Sequence, residues 1–583
     1  MARCKSRFWE HLYILLFLIG CWLWLFLAIP CQISFKEQTG AFIMEPGIWS
    51  EYLSRPAFLS SITGDFLMQF FWFRLAGPSI LCVLMLMLWL GAAKALIRCG
   101  VERIAYLLAL IPVAAEMSLV SYLNYPVSAT VAFVVSVWLS VAWMWLRERI
   151  GKPLPAFFVL LILTAVSFPF LTGGHTLTML AACSMYSLRK EWIQHLSIPA
   201  YLLLILVFSK AYQLSVAGCL VYPVTLGYKI PAAVFLAVGP VSLIAAALIG
   251  LVCNKPWIGI IISSISLFFG ILLTYNYMRE YMVRMNACAY RKQWDKVWRL
   301  AVDAPDDMFF GTFYRNVCLA RRSELPDRLL EYPQLSDGGM NVMVEPGSDY
   351  LWLFASIDQL MEVGDVSQAT GCALLCQTIM PGGRSTHMLR RLSELAMVSG
   401  DYDVAHKYLN MLSHTIVHRK WARNMCDSIA SGQLTSELMY YRGIASKTDR
   451  MFLQSDWTGS LNSLAETNPG NKTAIDYLLC SHLLAKQSQQ FTAAYDKYYL
   501  NRFDRVIKVP ELYQQALVTL ITDQKSFVAI VSRYGIDKQI TDRYQEFLAA
   551  LEKSGGALDG LGEFKGTYWY YMVSRNLSGS GGK

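Results

Sequence analysis

Residues 257–277 read WIGIIISSISLFFGILLTYNY, and this stretch divides the chain between two solvents. It carries no Asp, Glu, Lys or Arg. A helix rising 1.5 Å per residue needs about 20 such residues to cross the hydrocarbon of a bilayer, and it satisfies its own backbone donors and acceptors on the way. Upstream lie further apolar runs broken by short basic loops. From Met278 the chain turns charged and helix-periodic, with no further run long enough to span and no alternating strand pattern. The expected fold class is therefore all-α. A multi-span transmembrane bundle occupies 1–277, a helical-repeat domain occupies 278–553, and an aromatic segment with a flexible tail closes the chain at 554–583.

Composition agrees with this division. A chain of 583 residues with 55% hydrophobic and only 16% charged residues is too apolar for an ordinary globular protein of its size. The formal charge of +9 is unevenly spread: residues 1–277 hold 17 Lys+Arg against 9 Asp+Glu, whereas residues 278–583 hold 34 against 33. The C-terminal half is electrically neutral, which argues against a nucleic-acid partner. The positive excess belongs to membrane loops, where it sets orientation.

Nine apolar stretches are candidates for crossing: 12–29, 78–96, 104–122, 127–146, 156–171, 177–188, 198–208, 233–252 and 257–277. The first lacks a small-residue cleavage site and reads as an uncleaved span. With the N-terminus inside, the inner loops carry Arg3, Lys5, Arg7, Lys94, Arg98, Arg103, Arg147, Arg149, Lys152, Arg189, Lys190 and Lys255. The outer loops carry only Lys36, Arg55, Arg74, Lys210 and Lys229. Twelve against five favours this orientation, and an odd number of spans puts residues 278–583 outside. The outer loop 31–77 mixes aromatics with Glu51, Arg55, Asp65 and Arg74, the pattern of a segment lying at the headgroup boundary.

Within the C-terminal half, LSELAMVSGDYDVAHKYL places Gly400 two residues before Tyr402, five before Ala405 and eight before Tyr408. This resembles the tetratricopeptide (TPR) pattern, in which a glycine makes the turn, an aromatic packs it and a small residue lets two helices approach. Gly364 with Ala369 repeats the spacing, as Phe491 and Ala494 do in part, so the expectation is an irregular TPR-like α-solenoid with Tyr402 and Tyr408 as candidate binding residues. Turn-rich breaks fall around Gly338, Gly347, Pro381 and Gly555. Tyr568, Trp569, Tyr570 and Tyr571 are expected to pack as core against the last helix.

Signatures of common catalysis are absent: no P-loop, dinucleotide fingerprint, HExxH or GxSxG occurs, and no CxxC is found among fourteen cysteines. No metal and no cofactor is expected. Cys372 and Cys376, four apart, read as small core residues. His414 and His418 are read as sharing a helix face, with no third ligand beside them. Glu116, inside the third span, must be neutral, paired or beside water, with Lys210 as a candidate partner. His175 reads as a loop histidine. Asn471-Lys-Thr and Asn576-Leu-Ser match a glycosylation triplet too short to carry weight.

SRPAFL, DFLMQFFWF, LPDRLLEYPQ from Leu325, GDYDVAHKYLNMLSHTIVHRKWA and GTYWYY together resemble an uncharacterised family of polytopic inner-membrane proteins of Gram-negative bacteria. The resemblance covers nearly the whole chain and implies many spans followed by a TPR-like tail. It implies no activity and no catalytic residues. The chain departs from it at Ala57, where a glycine is expected after the arginine-proline pair.

Three functions fit this reading. The first is a non-enzymatic membrane-anchored scaffold that presents its helical repeats to a protein or peptide partner, the bilayer being its other partner. The second is a membrane-embedded transferase acting on a lipid-linked glycan, for which Glu37, Glu45, Glu51 or Asp65 would supply a base or metal ligand, with Glu51 and Asp65 the catalytic candidates. The third is a transporter using Glu116.

Overall fold

A computed structural model describes residues 2–101, 104–188, 191–224, 231–253, 255–334, 340–341, 350–380, 383–448, 456–500, 502–503, 508–521 and 523–578. Arg103, Arg189, Lys190, Lys229, Gly338, Gly347, Pro381 and the tail 579–583 lie outside them, as do the side chains of Arg3, Lys5, Arg7 and Asn576. No strand occurs among the described residues. The chain divides into two compact units. One holds Met1–Val283 with Gln377–Arg390 and Leu409–Asn424; the other holds Arg284–Cys376, Arg391–Tyr408 and Met425–Lys583.

Among the described residues of the first unit, seven helices are long and apolar enough to cross a membrane: Phe8–Ala28, Ala76–Arg98, Val127–Ile150, Pro153–Ser187, Trp192–Ala211, Ala232–Val252 and Pro256–Thr274. Their outward side chains are those of a lipid-facing surface. Val252 is 84% exposed, Leu273 83% and Leu203 65%, which water would penalise and hydrocarbon does not.

The count differs from nine in two places. The stretch 104–122 forms the shorter apolar helix Ala105–Val120, interrupted at Ala109. The stretches 156–171 and 177–188 fall within the single helical run Pro153–Ser187. That run turns back at Gly173, whose φ is +53°. Trp143 Nε1 donates to the Ala156 carbonyl at 3.3 Å and its ring meets Tyr186 at 6.1 Å, whereas His175 stacks on Phe133 at 5.5 Å. Residues 156 and 186 therefore lie at one level of the helix Val127–Ile150, and residue 175 lies about 15 Å further along it.

Ala57, expected to be glycine, has φ +56° and ψ +39°, the left-handed conformation that a side chain disfavours. It is fully buried and its N–H donates to the Phe168 carbonyl at 3.2 Å. Ala57→Val is expected to lose about 3 kcal/mol, because a branched Cβ is strained at positive φ and the site is already filled. Ala57→Gly is expected to stay within about 1 kcal/mol of the parent. Denaturant unfolding of both variants checks this, and an equal loss in the two would contradict the backbone explanation.

The second unit is built from paired helices such as Tyr350–Val363 with Val366–Ile379, and Lys472–Leu484 with Ser488–Ala494. Gly364 makes the first turn at φ +85°, and a Cβ there would meet the Ile444 carbonyl oxygen at 2.3 Å, so only glycine fits. Gly400 plays the same part after the helix Thr386–Ser399, at φ +89°. Tyr568 and Trp569 are buried, with Trp569 Nε1 donating to the Gln515 carbonyl at 2.8 Å, while Tyr570 and Tyr571 pack half-buried against the same core.

This unit also has a charged interior. Buried Arg391 donates to Asp358 at 2.5 Å and to Glu394 at 2.7 Å. Arg321 donates to Glu362 at 2.9 Å and to Glu437 at 3.2 Å, and Lys292 lies 3.4 Å from Glu437. Four acids and three bases nearly cancel, which is the condition under which charges survive burial.

Candidate functional site

The polar centre of the first unit is the short helix Pro30–Gln38, with proline in its first turn. Its N-terminal donors are taken by Glu280, which accepts the N–H of Cys31 at 2.9 Å and of Gln32 at 3.1 Å. Burial nevertheless pushes the Glu280 carboxyl up to about 7, against the lowering effect of those two hydrogen bonds. A carboxyl raised in the folded state stabilises most when protonated in both states, and it loses that advantage as pH climbs from its unfolded value to about 7. The stability of the parent relative to Glu280→Gln is therefore expected to fall by on the order of 3 kcal/mol between pH 4.5 and pH 7 and to stay level above it. Unfolding midpoints across that range check it; a difference independent of pH would contradict it.

At the other end, Lys36, Glu37 and Gln38 are consecutive, polar and buried. Lys36 Nζ donates to the carbonyls of Tyr122, Leu123 and Tyr125 at 2.7, 3.3 and 2.7 Å, using all three protons of an ammonium. Burial pushes this group down to about 7, and Glu116 opposes the shift. Glu116 itself accepts from Thr130 Oγ1 at 2.7 Å and from the Tyr125 hydroxyl at 3.3 Å. The cation within electrostatic reach of Glu116 is thus Lys36; Lys210 stands exposed in the last turn of the helix Ser197–Ala211.

Glu37 turns the other way. Its Oε1 lies 2.7 Å from His418 Nε2, and the imidazole meets the Trp72 ring edge-to-face at 5.1 Å. Gln38 Oε1 lies 3.0 Å from His387 Nδ1. Around them the loop backbone is held by the same two downstream segments. Thr386 N–H donates to the Gly40 carbonyl at 3.2 Å, Met44 N–H to the His414 carbonyl at 3.1 Å, and Ile416 N–H to Gln69 Oε1 at 3.0 Å.

The remaining loop acids are engaged too. Glu45 lies 3.3 Å from His414 Nδ1, which also lies 2.9 Å from the Asn410 carbonyl. Glu51 accepts from Arg384 at 2.5 Å, and Arg55 stands 4.0 Å from its other oxygen. Asp65 accepts from the Tyr52 hydroxyl at 2.7 Å, and burial pushes its carboxyl up to about 6. Three of the four candidate acids, Glu37, Glu45 and Glu51, therefore meet a basic or imidazole side chain of 377–390 or 409–424.

The other sequence candidates separate from this centre. His414 and His418 do not share a helix face: they lie in the turn between Tyr402–Ser413 and Arg419–Ala430, where the His418 N–H donates to Thr415 Oγ1 at 3.2 Å. Each meets a different acid, and among the described residues no group of three His, Cys, Asp or Glu is placed to hold a metal. Tyr402 accepts from Arg442 at 3.0 Å, and Tyr408 is half-buried beside Lys407. His175 lies in the single 3-10 turn Gly173–His175 and is buried. Burial pushes the Cys372 and Cys376 thiols upward, which suits inert core residues. Asn471 is buried and donates to the Val363 carbonyl at 2.8 Å, leaving no amide for a glycan. Arg384, His387 and Lys36 were not singled out as partners by sequence; a usable signal is that 377–390 and 409–424 contain no acid at all.

Among the described residues, seven apolar helices long enough to cross a membrane precede a charged array of paired helices. The chain belongs to a family of unknown function (DUF6057), which it matches over residues 5–575. No curated protein and no solved structure matches it.

Proposed function

We propose that this protein is a non-enzymatic membrane-anchored scaffold, in which the helix bundle holds a TPR-like array of paired helices at the outer face of a bacterial inner membrane to bind a protein or peptide. The observation that carries this reading is the pairing of Glu37, Glu45 and Glu51 with His418, His414 and Arg384. The loop acids that a transferase would need as base or metal ligands are spent on fastening two segments of the C-terminal half to the loop.

Those pairings also bear on topology. Loop 31–77 and the segments 377–390 and 409–424 must share one side of the membrane, so the chain crosses an even number of times between them. Because the run Pro153–Ser187 reverses at Gly173, it crosses twice or not at all; with Ala105–Val120 crossing, the total is nine or seven, and either satisfies this. Glycine-turned helix pairs at Gly364 and Gly400 support the TPR-like part, and the loop charges support a periplasmic C-terminal half.

The transferase remains the second reading, favoured by one observation: Asp65 is a buried carboxyl raised to about 6 beside the Tyr52 hydroxyl. The two are separated by crosslinking the full chain in its native membrane while replacing Glu37, Glu45, Glu51 and Asp65 by their amides. A scaffold gives a specific protein or peptide adduct that survives Asp65→Asn. Absence of any adduct, with function abolished by Asp65→Asn alone, would overturn it in favour of the transferase.

A further inference from the structure

We infer that residues 413–423 form a second, peripheral contact with the bilayer, one that binds the phosphate groups of anionic phospholipids. The segments 377–390 and 409–424 hold five Lys and Arg and no acid, whereas the rest of 278–583 holds 29 against 33. This concentration of charge lies in the compact unit that contains the apolar helices. Of the five, Arg384 is used by Glu51, and Arg390 lies over the Trp421 ring at 4.4 Å. Arg419, Lys420 and Arg423 are exposed on one short stretch of the helix Arg419–Ala430.

Two of these cations occupy the first turn of that helix, where the backbone dipole already presents positive charge and acids are normally preferred. Arg419 Nε donates to the Ser413 carbonyl at 3.1 Å, and an external anion would answer the positive charge that Lys420 and Arg423 add beside it. Apolar side chains flank them: Ile416 is 39% exposed and Met44 42%, with Met44 N–H bound to the His414 carbonyl. On the helix Pro46–Leu53, which follows Met44 in the chain, Trp49 is 46% exposed and Leu53 50%. Cations with exposed aliphatic groups in the same segment and the loop bound to it are the composition of a surface at the headgroup layer, where charge meets phosphate and the apolar groups enter the acyl boundary.

The test is amide hydrogen exchange on the full chain in bilayer discs of phosphatidylcholine, with and without phosphatidylglycerol. Adding the anionic lipid is expected to slow exchange across 413–424 by about tenfold, given the attraction of three surface cations. High salt should reverse the slowing in the parent itself, since surface charges are screened. Arg419→Gln/Lys420→Gln/Arg423→Gln should abolish it while leaving the unfolding midpoint unchanged. Equal exchange in the two bilayers would overturn the proposal. So would the same slowing by inorganic phosphate in phosphatidylcholine discs, which would show a free-anion site instead of a lipid contact.

Discussion

Lys36→Met is expected to destabilise the first unit by on the order of 3–5 kcal/mol, the range for stripping one partner from a buried charge network. Methionine matches the lysine stem in shape, so the loss isolates the ammonium. Without it the carbonyls of Tyr122, Leu123 and Tyr125 lose their common donor, and Glu116 loses the cation that balances it. Adding Glu116→Gln should recover part of the loss, because a neutral amide needs no counter-charge and still meets Thr130 and Tyr125. Denaturant titration of the single and double variants reads both effects. A loss below about 1 kcal/mol for the single variant would mean that the three carbonyls find other donors and that Lys36 is not the pin of the loop.

Arg391→Met is the counterpart in the second unit. Its guanidinium is buried and is shared between Asp358 and Glu394, while the Tyr314 hydroxyl donates to Asp358 at 3.3 Å. Removing it leaves Asp358 and Glu394 out of water with Lys292, 3.7 Å from Glu394, left to balance them, and a loss of about 3–5 kcal/mol is expected at neutral pH. The loss should shrink on acidification. Burial already holds the Asp358 carboxyl above its ordinary range, and without the arginine it rises further. A raised carboxyl costs stability as pH climbs through its folded value, so the deficit is largest at and above neutral pH. A deficit that grows below pH 5 would contradict the assignment.

What the sequence discloses and what it conceals follow from range. The stretch 257–277 announces a membrane helix because apolarity is a local property, and Gly364 and Gly400 mark turns because each sits at positive φ directly after a helix. The pairing that defines the candidate site is not local. Glu37 meets His418 across 381 positions and Glu51 meets Arg384 across 333, and no periodicity carries information over such distances. Glu116 was legible as a buried acid from its place among apolar residues, yet its cation comes from a loop that reads as interfacial. Ala57 lies between these cases: the family resemblance marks the position as one for glycine, and the left-handed backbone there supplies the reason.

The most direct test of the outer-face scaffold is a reporter enzyme active only after export, joined after residue 583 of the full chain and compared with one active only in the cytoplasm. The expected result is activity of the exported reporter alone, with residues 278–583 and loop 31–77 together outside. Activity of the cytoplasmic reporter alone would put the paired helices and the loop acids that fasten them on the inner side, and would contradict an outer-face scaffold.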